Sequence, residues 1–283
     1  MKRFALLIVS FLSLAFGVTA AFAQAVDMDG AEPAHNPNSL HPIPYADILM
    51  KKRVWSQIDL KEKRNRPIFS HKKELTKFII EGVEAGLLTP YNDEAFESPM
   101  SKAEFFEKLK LPETDDSSEG EQDLGFADDS WGDDTQAKKG QKQEEADYFL
   151  PNEVSILEIM EDLIFDKVRS VQVYDTQSIK LIIPAEKFET GLRREVGIFK
   201  YKDLAAYLDE QNVLWLNLEN VASSIKATEA FELRLFSSGI VKLENPEDKT
   251  IADIYGDTPK AAALAAKELQ EKLLEEEYFL WEH

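Results

Sequence analysis

Apolar positions along this chain recur in runs that predict two folded regions, separated by a stretch with almost no apolar residues. From Ala46 the positions Ile48, Leu49, Trp55 and Ile58 stand among Lys51, Lys52, Arg53 and Gln57, a spacing that predicts one buried helical face. Asn65-Arg66-Pro67 ends it. A second helix is predicted over Lys72 to Gly86, with Leu75, Phe78, Ile79 and Val83 three and four residues apart and Gly86 at its C-cap. A third is predicted over Ser101 to Lys110, where Ser101-Lys102-Ala103-Glu104 has the capping-box pattern ahead of Phe105, Phe106 and Leu109. Pro112 closes it, so residues 43–112 read as an N-terminal helical module.

A second unit is predicted over residues 151–283. Val154 to Phe165 carries Val154, Ile156, Leu157, Ile159, Met160, Leu163 and Ile164 with acidic residues between them, which reads as another helix. Val168–Tyr174 and Ser178–Ile183 then flank Asp175-Thr176-Gln177 in the pattern of a β-hairpin, Pro184 stops the second strand, and Glu195–Tyr201 adds a third. Helices follow over Lys202–Glu210, Ser223–Phe236 and Pro259 to about Phe279, the last with Thr258 as N-cap and Pro259 in the first turn. The fold class expected is α+β: a helical module, then a small antiparallel sheet with flanking helices.

The intervening stretch changes the picture through its charge. Glu113 to Asp147 holds thirteen Asp or Glu against three Lys, too polar to offset its ordering entropy, so residues 113–150 read as an acidic disordered linker. Residues 24–42, with Gly30 and several prolines, read as a flexible leader. Ahead of them Lys2-Arg3, an apolar run to Ala23 and the exit Ala21-Phe22-Ala23 form a signal peptide over residues 1–23, cleaved near Ala23 and directing the chain to the periplasm. The competing reading, a membrane anchor, is disfavoured by the short apolar core and the polar chain after it. With no cysteine in the chain, lipid attachment, disulfides and thiol chemistry are excluded. The net charge of −20 argues against nucleic acid or an anionic membrane as a partner.

Candidate chemistry is sparse. His35, His41, His71 and His283 are scattered, and no ligand spacing predicts a metal site. Carboxylates are too numerous for any pair to stand out as acid and base. Asp115–Glu121 and Asp128–Thr135 miss the register of a calcium loop, and no glycine-rich phosphate loop or G-x-S-x-G elbow occurs. The expectation is no catalytic residue, cofactor or metal. Trp55, Trp215 and Trp281 remain as core anchors or interface residues. Lys51 to Arg66 gathers seven cations in an acidic chain, either an electrostatic docking face or the solvated side of a helix. The interaction candidates are therefore Lys51, Arg53, Trp55, Lys63, Arg64 and Trp281.

Two series of motifs resemble one family. Pro44-Tyr45, then Val54-Trp55-Ser56-Gln57-Ile58-Asp59-Leu60 running through Lys61-Glu62-Lys63-Arg64-Asn65-Arg66-Pro67, then Gly86 and Tyr91-Asn92-Asp93 form the first. Glu161, Phe165-Asp166-Lys167, Arg169-Ser170, Phe236-Ser237-Ser238, Glu244-Asn245-Pro246-Glu247-Asp248-Lys249-Thr250-Ile251 and the end Glu277-Tyr278-Phe279-Leu280-Trp281-Glu282 form the second. In that order they resemble the GldN/PorN family of Bacteroidetes gliding and type IX secretion proteins. Residues 184–220 match loosely, and the 113–147 insert has no counterpart. The resemblance implies a periplasmic, non-enzymatic structural subunit. It would assemble into a ring with an outer-membrane lipoprotein of the GldK/PorK kind, docked against a GldM/PorM-like motor protein. The alternatives are an exported envelope hydrolase or carbohydrate-binding protein, motivated by carboxylates and aromatics, and a monomeric periplasmic adaptor.

Overall fold

Lys51, Arg53, Trp55 and Gln57 lie on one side of the backbone and Lys52, Val54, Ser56 and Ile58 on the other, because the segment Ile48–Asp59 is a β-strand. In the computed structural model, which describes residues 34–112, 148–217, 219–256 and 258–281, this strand is β1. After it come β2 (Phe69–Ser70) and β3 (Lys73–Glu74), a small hairpin, then α1 (Leu75–Glu84) and α2 (Lys102–Lys108). β4 (Ile156–Asp166), β5 (Val171–Ile183) and β6 (Arg194–Lys200) lead into α3 (Tyr201–Glu210). β7 (Leu214–Trp215) and β8 (Ile225–Lys226) form a second small pair. α4 (Ala227–Glu232), β9 (Gly239–Leu243), α5 (Ile251–Tyr255) and α6 (Pro259–Trp281) complete the order.

The main sheet is five-stranded and antiparallel throughout, in the order β6-β5-β4-β1-β9. The fold is therefore α+β, but the helical module over 43–112 is overturned. Its first expected helix is β1, inserted between β4 and β9 from the far end of the chain. The second correction is β4, expected as a helix. As a central strand it is buried along nearly its whole length, and an apolar run covered on both faces cannot be told from a helix by periodicity.

The third correction concerns Asp175-Thr176-Gln177, expected as a hairpin turn. β5 runs straight through it. The register slips from Met160↔Ser178 to Glu161↔Thr176, so Gln177 is the extra residue of a β-bulge. The hairpin turn lies earlier, at residues 167–170, where Ser170 takes φ 53°. Residues 223–236, expected as one helix, begin at the end of the 3₁₀ turn Val221–Ser223 and hold β8 and the short α4. α1, α2, α3, β6 and α6 fall where the pattern placed them. Ser101 Oγ caps α2 by accepting from Glu104 N, and Thr258 Oγ1 accepts from Ala261 N at the start of α6.

One face of the sheet carries the core. Ile58, Leu157, Ile159, Ile179, Leu181 and Phe199 pack against Leu75, Ile79 and Val83 of α1, Leu204 and Leu208 of α3, and Phe231 of α4. Each such side chain contributes about 1.5–3 kcal/mol by its burial. α6 covers the rest of that face through Leu273, which packs on Val54 and Leu163. α1 and α3 approach closely at Gly82, where an added Cβ would sit 2.8 Å from Leu88 Cδ1 and 2.9 Å from Tyr207 Cζ.

The expected leader over 24–42 enters the described residues at Ala34. There Asn36 Nδ2 donates to Gln177 Oε1 at 2.6 Å and Ser39 Oγ to Asp175 Oδ1 at 2.7 Å, so residues 34–42 are tied to the sheet. The expected signal peptide over 1–23, the rest of the expected leader and residues 113–147 of the expected linker lie outside the described residues.

Candidate interaction surface

The second face of the main sheet is polar, and alternation puts it there. Opposite the core residues, β1 places Lys51, Arg53 and Trp55, β4 places Glu158 and Asp162, and β5 places Asp175 and Lys180. At one end Asp162, with no exposed side-chain surface, holds two cations. Arg53 Nε donates to Oδ1 at 2.8 Å and Nη2 to Oδ2 at 3.2 Å, while Lys51 Nζ lies 2.8 Å from Oδ2. This two-pronged contact holds the Arg53 guanidinium above its ordinary pKa against the opposing effect of burial. Beside it, burial pushes the Asp175 carboxyl up, although Ser39 and Gln177 donate to it and favour its charged form.

The other end centres on Lys180. Its Nζ donates to Glu158 Oε1 at 2.8 Å, Glu94 Oε1 at 3.2 Å and Glu195 Oε1 at 3.4 Å. Burial alone would depress this ammonium, but Glu158 and then Glu195 and Glu94 outweigh it and hold the pKa above its ordinary value. Trp55 Nε1 donates to Glu94 Oε2 at 3.0 Å, and Lys242 Nζ sits 4.1 Å from the centroid of the Trp55 ring. These groups line a pocket of about 400 Å³. Its three carboxylates, Glu158, Glu94 and Glu195, converge on one lysine that stays charged. Among the described residues no group of three His, Asp or Glu side chains is placed to hold a metal ion.

Lys51, Arg53 and Trp55 are thus engaged within the molecule. Trp55 is only 6% exposed. Lys63 and Arg64 lie elsewhere, in the turn after β1. Lys63 is exposed and makes no ion pair among the described residues, and Arg64 Nε donates to the Leu235 carbonyl at 3.2 Å. Trp281 is the last residue of α6; its side chain lies outside the described ones. Pattern reading missed Glu94, Glu158, Lys180 and Glu195. Charges at alternate positions inside apolar strands, Glu158 with Asp162 in β4 and Lys180 in β5, were their only signal.

The exposed turn continues into the β2–β3 hairpin and forms a basic surface. Lys61, Lys63, Arg66, Lys72 and Lys73 are exposed and without ion pairs among the described residues. A shallow depression of about 580 Å³ is lined by Leu60, Lys61, Arg66, Phe69, Ser70 and His71. Asn65 pins the turn from beneath: Nδ2 donates to the carbonyls of Asp59 at 2.7 Å and Ser237 at 3.0 Å, and Oδ1 accepts from Ser237 N at 2.7 Å.

The sequence model of a protein family described as "Gliding motility associated protein GldN" matches residues 43–282. The chain belongs to the GldN family. The match spans the whole main sheet and every helix among the described residues, so it covers both the paired polar face and the exposed basic turn. Among curated proteins none matches the sequence. As a GldN-family chain it is a component of the gliding and type IX secretion machinery, a structural family and not a known enzyme family. Among the described residues no helix is long and apolar enough to cross a membrane.

Proposed function

We propose that this protein is a non-enzymatic structural subunit of the type IX secretion and gliding machinery. It resides in the periplasm and assembles with a GldK/PorK-like outer-membrane lipoprotein into a ring that docks on a GldM/PorM-like motor protein. The family match over residues 43–282 carries the reading. The basic turn supports it, because unpaired cations on an acidic chain suit docking against an acidic protein surface. Lys63 and Arg64 are the docking residues of this proposal. Lys51, Arg53 and Trp55 serve it indirectly, by holding the sheet that presents the turn.

The test is to isolate the protein from cell envelopes and measure its size by light scattering with and without the lipoprotein. A large joint assembly that excludes the lone protein's monomer peak is expected. Failure of the two proteins to co-elute at any salt concentration would sink the proposal.

A further inference from the structure

A second pocket adjoins the Lys180 cluster beside β9, the edge strand of the main sheet. Its volume is about 470 Å³. Ile240 and Val241 of β9 and Ile251 of α5 line it, and every residue that α6 contributes is an alanine: Ala262, Ala263 and Ala266. The space that larger side chains would fill is therefore left open. Gly239 stands at the same place, where an added Cβ would meet nothing within 4 Å.

This apolar pocket is continuous with the charged one of about 400 Å³, because Arg193, Val241 and Thr250 line both. The shared wall is built by an irregularity of the sheet. The ladder passes from Trp55↔Lys242 to Ser56↔Ile240, so Val241 is the extra residue of a bulge, a device that re-aims a side chain at a sheet edge. Arg193 makes no ion pair among the described residues and gives only Nη1 to Gln57 Oε1, at 3.3 Å. In the charged pocket the Glu158 side chain is 9% exposed and spends Oε1 on Lys180. Its Oε2 has no donor among the described residues and opens on the pocket. Together the two pockets hold six carboxylates against three cations.

These features select an occupant. An open apolar pocket beside a strand takes a large aliphatic or aromatic side chain. The excess of carboxylates next to it, with Glu158 and the exposed Glu195 holding an oxygen free, takes a cation and repels an anion. In an extended chain, residues two apart lie on one face at a separation of about 7 Å, which suits two pockets divided by a single wall. Arg193, on that wall, can donate to a main-chain carbonyl between the two side chains.

We propose that the groove beside β9 binds an extended peptide segment of another protein, one that carries leucine or a similar large apolar residue and, two residues on, lysine or arginine. The apolar side chain enters the alanine-lined pocket. The cation meets Glu158 and Glu195 beyond Val241. This is pocket-by-pocket reading of alternate side chains, as extended peptides are recognised beside sheet edges. The proposal goes beyond the ring-subunit reading and does not depend on it.

The test is fluorescence anisotropy on the full chain, with a short dye-labelled peptide that holds one leucine and one lysine two apart in a glycine-serine background. Binding should saturate, and replacing the leucine by serine or the lysine by glutamate should weaken it at least about tenfold each. Gly239→Phe fills the apolar pocket from a position with open space, so circular dichroism should be unchanged while peptide affinity falls by about tenfold or more. Ala263→Trp, at an exposed position of α6, is a second filler that should act in the same way. Glu195→Gln with Asp248→Asn should weaken the lysine peptide and leave the weaker binding of a norleucine analogue unchanged. Absence of saturation, equal binding of the glutamate peptide, or undiminished binding to both filled variants overturns the proposal. So does equal affinity for n-hexylamine, which would make the occupant a simple amphiphilic amine.

Discussion

Asp162 and Tyr201 show opposite ways of placing a polar group inside a protein. Asp162 is fully covered and satisfied by Lys51 and Arg53, each about one-third exposed on its side chain. Asp162→Ala leaves both cations without their partner, and a loss of roughly 3 kcal/mol is expected in urea unfolding. Lys63→Glu, on the exposed turn, should change stability by less than about 0.5 kcal/mol. Tyr201 is 3% exposed, and its hydroxyl has no hydrogen-bond partner among the described residues. Tyr201→Phe removes that hydroxyl and should stabilise the protein by about 1–3 kcal/mol. Burial, then Glu232 and Glu161, raise the Tyr201 pKa above its ordinary 10.0, and the carboxylates around Lys180 raise that ammonium above 10.5 despite burial. Both values are higher folded than unfolded, so the stabilisation is fully present below the unfolded values and is lost as pH rises through the folded ones. Denaturation midpoints should therefore fall above about pH 10, and less steeply in Tyr201→Phe. A midpoint that rises with pH in that range would contradict both assignments.

At the scale of elements, legibility depended on whether burial was one-sided. α1 and α3 were readable because each covers the core with one stripe and leaves the other to solvent. β4 was not, since Ile156–Asp166 is covered on both faces and carries acidic residues paired inside, Asp162 with Arg53 and Glu161 with Arg234. β1 was misread because Lys51, Lys52 and Arg53 ahead of Trp55 suggested a solvated helical face, whereas Arg53 points into the polar side of the sheet. The bulge at Gln177 looked like a turn for a physical reason: Asp and Gln side chains bond to local backbone in both settings, and Gln177 Nε2 donates to the Asp175 carbonyl at 3.1 Å. The Lys180 cluster was illegible because Glu94 arrives from a loop distant in sequence. Gly82 supplies a test at this scale. Gly→Ala in a helix interior ordinarily gains about 1 kcal/mol, but here the added methyl meets Leu88 and Tyr207. Gly82→Ala should instead cost about 1–3 kcal/mol through overpacking, seen as a lower thermal midpoint.

For the whole molecule, β1 decides what can be separated. Two autonomous halves on either side of residues 113–147 are not compatible with a sheet in which β1 pairs with both β4 and β9. A protease site engineered between Glu113 and Asp147 should therefore yield two fragments that co-elute as one complex in native buffer and part only in denaturant. Residues 34–112 expressed alone should show little strand content in circular dichroism and expose Val54 and Ile58 to dye. A stably folded, monomeric 34–112 fragment would defeat this expectation.

The central position of β1 also dictates a timetable. A ribosome or a translocation channel delivers the chain from its N-terminus, so Ile48–Asp59 emerges about a hundred residues before Ile156–Asp166 and far ahead of Gly239–Leu243, its two neighbours in the sheet. At synthesis rates of about 5–20 residues per second, β1 waits on the order of 5–20 s for its first hydrogen-bonded partner, with both edges open. Such long-range closure slows folding and leaves Val54, Trp55 and Ile58 available to other chains in the interval. Refolding from denaturant should accordingly show aggregation that rises with protein concentration. Adding an excess of a synthetic peptide spanning residues 156–183, which supplies the β4–β5 hairpin early, should suppress it.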